Sequence, residues 1–301
     1  MIRKLVLSLL AISSLAGSAA EPLPALLLYD ENKFERIWVT GMNSTTLAYK
    51  VGPNLPAISK IARSKFKNVF FLEPELYTDA MRDFRTLDYQ SALGKFQQVE
   101  AQYAPVNDQP GNYATLAAFY QLECHRLLGD LDKLEEGMDK FQPRYLERED
   151  LKAQLETNQA WLAVHKEEWP RLASAGEKMA HSAKINDQRA QIGYCWGLAC
   201  EKTGQNVKAL TAYAYAITAD AATSQVTVKD AVHRSLGIYK GDEEVQQAIR
   251  FYGTPDEKPR SSGHLRLLEA GALAAAYPLM FGENAKLPDE YKDFLKYATV
   301  Q

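Results

Sequence analysis

The 301-residue chain is poor in the residue types that carry most recognisable chemistry: three cysteines, five histidines and little imbalance of charge, with 35 Lys/Arg against 38 Asp/Glu. Each scarcity excludes something. An odd number of thiols leaves at least one of Cys124, Cys195 and Cys200 unpaired, which argues against a disulfide framework. On a shared helix the five-residue step from Cys195 to Cys200 would point the two apart and prevent a bridge. All three read as small packing residues. A net charge of −3 sets up no global field that would gather nucleic acid as a strongly basic chain does. Nucleophile elbows, paired thiolates, zinc-protease helices and phosphate-cradling glycine loops are all missing. His125 follows Cys124, but adjacent residues on a helix point about 100° apart and form no dyad. His165, beside Glu167 and Glu168, reads as part of a solvated turn rather than a metal ligand. The expectation is a protein without enzymatic activity, cofactor or metal.

Long hydrophobic runs are also few, and the one at the start has a particular order. Met1-Ile2-Arg3-Lys4 is followed by an apolar run from Leu5 to Leu15 and by Ala16-Gly17-Ser18-Ala19-Ala20. A cationic start, a short apolar stretch and a small-residue exit mark a secretory signal peptide over 1–20, cut after Ala20. The run falls short of the about 20 residues that a spanning helix requires. The mature chain is therefore expected to be exported, periplasmic or extracellular, with no transmembrane segment. No cysteine near Ala20 offers a site for lipid attachment.

Residues 30–72 read as a small β element. Phe34–Thr40, Thr45–Val51 and Asn68–Leu72 are rich in β-branched and aromatic residues, and Gly41-Met42-Asn43-Ser44 between the first two has turn composition, so a hairpin is expected. Pro53 and Pro56 break regular structure, and 58–67 is expected to be a short helical or irregular connection before a third strand. The element resembles the SH3-like or Sm-like meanders that precede helical repeats in some exported bacterial proteins. Lys60, Arg63, Lys65 and Lys67 cluster within it; they are read as a solvated face, with a contact patch for an acidic partner, cell-wall polymer or lipid headgroup as the functional alternative.

After Pro74 the texture turns helical and breaks recur at near-constant distance. Leu87-Asp88-Tyr89, Gly129-Asp130-Leu131, Glu167-Glu168-Trp169 and Gly204-Gln205-Asn206 align, followed three residues on by Ala92, Leu134, Leu172 and Ala209. Twelve positions before each of these stand Ala80, Leu122, Ala160 and Gly197. Small or aliphatic residues at such paired sites let two helices cross closely. Four residues past each crossing come Phe96, Met138, Gly176 and Tyr213, then Val99, Phe141, Met179 and Ala216. That four-then-three step keeps them on one face, a core stripe. Pro105 and Pro143 suit helix ends, and Pro170 suits a first turn.

This pattern resembles the tetratricopeptide-repeat family over 73–222, with departures at Leu134, Leu172 and Gly176. The resemblance implies a mainly α fold, a right-handed solenoid of antiparallel helix pairs, with 223–301 as a further pair and capping helices. It also implies a protein or peptide partner held in a groove, for which Tyr77, Asp83, Gln121, Gln159 and Trp196 are the candidate lining residues. The rival reading is a carbohydrate-binding protein or hydrolase of the cell envelope, with Trp38, Tyr49 or Trp169 stacking on sugar rings in a cleft between the β element and the helices. The Ala-rich stretch His264–Met280 is a candidate for pairing with a second copy of the chain.

Overall fold

The structure, a computed structural model, describes residues 21–30, 33–219 and 225–298; the signal peptide expected over 1–20 lies outside the described residues. The protein is mainly helical with one small antiparallel sheet, and it divides into two compact units, one ending at Gln121 and the other beginning at Leu122.

In the first unit, β1 (Leu23–Asp30), β2 (Lys33–Met42), β3 (Thr46–Lys50), β4 (Ser59–Ala62) and β5 (Asn68–Phe71) form a sheet of order β4-β3-β2-β1-β5. Strand alternation aims Leu23, Ala25, Leu27, Ile37, Val39, Leu47, Val69 and Phe71 at the core, and all eight are buried. Asn43 makes the β2–β3 turn: its Oδ1 accepts from the backbone N–H of Thr45 at 2.9 Å and of Thr46 at 2.8 Å. The expected hairpin and third strand are present, but the sheet has five strands and starts at Leu23, ahead of the expected boundary at residue 30. β1 is an inner strand between β2 and β5, and its run Leu26-Leu27-Leu28 is apolar toward both faces, which hides the period-2 signal. The stretch 58–67, expected to be helical or irregular, holds the edge strand β4 and a single 3-10 turn at Arg63–Lys65.

Two helices follow in this unit, α1 (Glu75–Arg85) and α2 (Tyr89–Tyr103), with the start of α3 (Tyr113–Leu128), inside which the division falls. Their crossing residues Ala80 and Ala92 are fully buried. Tyr103 links α2 to the sheet: its ring lies edge-on to Phe71 at 6.0 Å and its hydroxyl donates to the Leu72 carbonyl at 3.3 Å.

The second unit continues through α4 (Leu131–Lys140), α5 (Glu149–His165), α6 (Trp169–Ser182), α7 (Asn186–Lys202) and α8 (Asn206–Ala219) to α9 (Gln225–Gly241), α10 (Glu243–Phe251), α11 (Ser262–Phe281) and a closing 3-10 helix, Asp289–Tyr297. Leu122 and Leu134 share one apolar cluster, and Ala160, Leu172, Ala209 and Tyr213 share another. Gly176 and Gly197 are there for space. A Cβ on Gly176 would stand 2.5 Å from Trp196 Cβ, and one on Gly197 would overlap the Tyr213 ring. Trp196 thus fills the volume that a bulky residue at position 176 would need.

One turn is used four times. Leu87, Gly129, Glu167 and Gly204 all adopt positive φ, at 66°, 76°, 53° and 73°. Each N–H bonds the carbonyl three residues back, and the next N–H reaches five back: Asp88 to Asp83, Asp130 to His125, Glu168 to Ala163, Gln205 to Cys200. That two-bond pattern closes a helix C-terminus and satisfies its last carbonyls. The following residue begins the next helix, and the Asp88 and Asp130 side chains cap it by accepting from Ser91 and Lys133.

Polar residues buried where α3, α5 and α7 meet fix their alignment. Arg126 donates to Glu123 Oε2 at 2.7 Å; Glu123 Oε1 accepts from Asn158 at 3.0 Å, whose own oxygen accepts from Gln154 at 3.0 Å. Gln191 Oε1 takes both Gln154 and the Trp161 indole N–H, and its amide donates to Asp187. Burying such groups is tolerable because they satisfy one another. The carboxylate of Glu123 offsets the burial of the Arg126 guanidinium, whose pKa stays above its usual value.

Candidate binding groove

The feature of the second unit best suited to binding is an apolar groove of about 840 Å³ between α8 and α11, floored by α9. Along α8, Val207, Leu210, Thr211, Ala214, Ile217 and Thr218 follow helical spacing and form one wall. Leu265, Glu269, Ala272, Leu273, Ala276 and Met280 do the same along α11, while Ser235 and Tyr239 rise from α9. Val207 and Leu265 remain 62% and 50% exposed, so the walls present apolar surface to solvent.

The groove is open because of where α10 goes. This helix is the shortest of the eleven, and the N-cap of its first turn is tied to α11 rather than laid over α8. Arg266 of α11 pairs with Asp242 and Glu244, Ser262 donates to Glu244 at 2.6 Å, and Gly263 has no Cβ because the Glu244 carbonyl occupies its place. Seven of the sixteen lining residues are polar, and each already has a partner: Tyr239 donates to Glu269 Oε2 at 3.0 Å, and burial together with that carboxylate raises its phenol pKa, keeping it a donor. A long apolar trough with a polar pair on its floor suits a segment that offers apolar side chains on one side.

The residues singled out in the sequence fall elsewhere. In the first unit, Tyr77 is buried among the rings of Phe96, Tyr113 and Tyr120, which makes it core. Asp83 accepts from Lys95 at 2.6 Å and Ser91 at 2.5 Å, and the lysine holds its carboxyl below the usual range. Gln121 donates to Glu100. In the second unit Gln159 is exposed on α5, whereas Trp196 is buried against Gly176. None of the five lines the groove. The groove residues left a faint mark in the sequence: α8 reads Ala-Leu-Thr-Ala-Tyr-Ala-Tyr-Ala-Ile-Thr-Ala, apolar on more than one side, which is more apolar surface than a single packed face needs.

The three cysteines are free and buried, and burial pushes the Cys124 thiol up to about 12. No helix among the described residues is long and apolar enough to cross a membrane. No family model matches the chain, and no curated protein matches it.

Proposed function

We propose that this chain is an exported, non-enzymatic scaffold of tetratricopeptide-like helix pairs whose α8–α9–α11 groove holds a segment of a protein partner, bound as an amphipathic helix. The observation that carries the proposal is the groove itself, an open apolar trough walled by two helices. A helix laid in it would replace water on the exposed faces of Val207 and Leu265, and apolar burial is worth about 25 cal/mol per Å². The four identical turns support the family reading, since a repeat of that kind reuses one helix-pair joint. The sheet, in which β5 returns to the free edge of β1 after a 3-10 turn, supports an SH3-like meander. Export rests on the pattern of residues 1–20 and is tested by N-terminal sequencing of secreted material, which should begin at Glu21.

The test of the groove is site-specific photo-cross-linking. A photoreactive residue at Leu273 should capture one discrete polypeptide segment, identified by mass spectrometry, and a synthetic copy of that segment should bind the purified chain. Ala214→Glu, which places a charge in the wall, should weaken that binding by about tenfold or more. A segment that binds equally well to the Ala214→Glu chain would rule the groove out.

A further inference from the structure

The sheet carries a second candidate surface, independent of the groove. From Lys50 to Lys67 there are five Lys/Arg and no Asp or Glu, while residues 73–301 hold 34 Asp/Glu against 26 Lys/Arg, so positive charge is concentrated in this part of the chain. The loop joining β3 to β4, Val51-Gly52-Pro53-Asn54-Leu55-Pro56-Ala57-Ile58, contains no charged residue. Its large apolar side chains point into solvent: Val51 is 54% exposed, Leu55 47% and Ile58 55%. Folding gains nothing from leaving three aliphatic side chains so open, and exposed apolar groups beside cations mark an interaction surface. Lys50 closes β3 and Lys60 lies at the start of β4, so the two flank the loop; Lys60 is exposed, and no ion pair among the described residues engages either.

We propose that the β3–β4 loop docks the protein on an anionic lipid surface, with Val51, Leu55 and Ile58 entering the boundary between headgroups and acyl chains while Lys50 and Lys60, which flank the loop on β3 and β4, meet the lipid phosphates. Two features favour a bilayer over an acidic protein. The apolar side chains sit on a projecting loop rather than in a recess, and a bilayer accepts an apolar projection without a matching pocket. Nor is there a row of directional groups to read a particular sequence; lysine acts here as a compact point charge, suited to a mobile field of phosphates.

A thiol introduced as Leu55→Cys and labelled with an environment-sensitive fluorophore reads the loop itself, because the native cysteines are buried. The full-length chain is titrated with vesicles of phosphatidylcholine alone and of phosphatidylcholine mixed with phosphatidylglycerol. Blue-shifted, enhanced emission is expected with the mixed vesicles only, weakening as salt is raised. Adding Lys50→Glu and Lys60→Glu should weaken the response by about tenfold or more, at roughly 1 kcal/mol per cation lost. No shift with the mixed vesicles would overturn the proposal. So would an equal shift with neutral vesicles, or an equal shift from a label at Glu283→Cys, which would mean adsorption through another part of the chain. A shift with polyglutamate but not with vesicles would assign the loop to an acidic protein instead.

Discussion

From residue 75 to 219 every helix pair is joined by the same two-bond turn around a left-handed residue; from 225 to 297 the joints differ. The α9–α10 joint has no left-handed residue and relies on Asp242, whose side chain caps Glu244 and Val245, whereas α11 ends at Gly282 with φ at 92°. The difference teaches how an open groove can arise between helices. The repeated joint closes each first helix and starts its partner in the same way. When the joint changes and α10 is drawn to α11 by Arg266 and Gly263, the wall of α8 is left uncovered.

The comparison can be broken most forcefully inside the repeated region. Glu123→Ala leaves the buried Arg126 without its carboxylate, and about 3–5 kcal/mol of stability should be lost in urea unfolding. In the C-terminal region, Gly263→Val forces a side chain into the Glu244 backbone; about 2–3 kcal/mol should be lost, with new proteolysis in the 252–261 connection as α10 detaches. The joints themselves give a change of sign. Leu87 holds a left-handed conformation that costs an L-residue about 1–2 kcal/mol, and its side chain is 70% exposed and packs little, so Leu87→Gly should raise stability by about 1 kcal/mol while Gly204→Leu lowers it by a similar amount.

A smaller effect follows from pH. Burial lowers the pKa of His125 and of His233 below the 6.5 of a free imidazole, so the unfolded chain binds protons more readily than the folded one. Stability is fully present above pH 6.5 and should fall as pH drops below it. The melting temperature followed by circular dichroism between neutral and mildly acidic buffer reads this, and the double substitution His125→Gln, His233→Gln should flatten the slope.

How far the sequence foretold this depends on the range of the interactions involved. Leu87 and Glu167 lack the glycine that usually betrays such a turn, yet register with Gly129 and Gly204 exposed them, because a joint and the crossing residue five positions on are local features. The strand β1 was missed because Leu26-Leu27-Leu28 is apolar toward both faces. Beyond the apolar excess of α8, the groove could not be read. It depends on an ion pair joining Arg266 to Asp242 and on the backbone of Glu244 meeting Gly263, contacts that form only after folding. The geometry of an unbroken repeat turns the candidate lining residues outward, whereas the folded chain uses Tyr77 and Trp196 for packing.

The most direct test of the central claim is hydrogen–deuterium exchange of the purified chain with and without the segment recovered by cross-linking. Protection confined to 207–218 and 265–280 is the predicted result. Protection that leaves those stretches unchanged and appears along α3, α5 and α7 would contradict it and return binding to the face first inferred from the repeats.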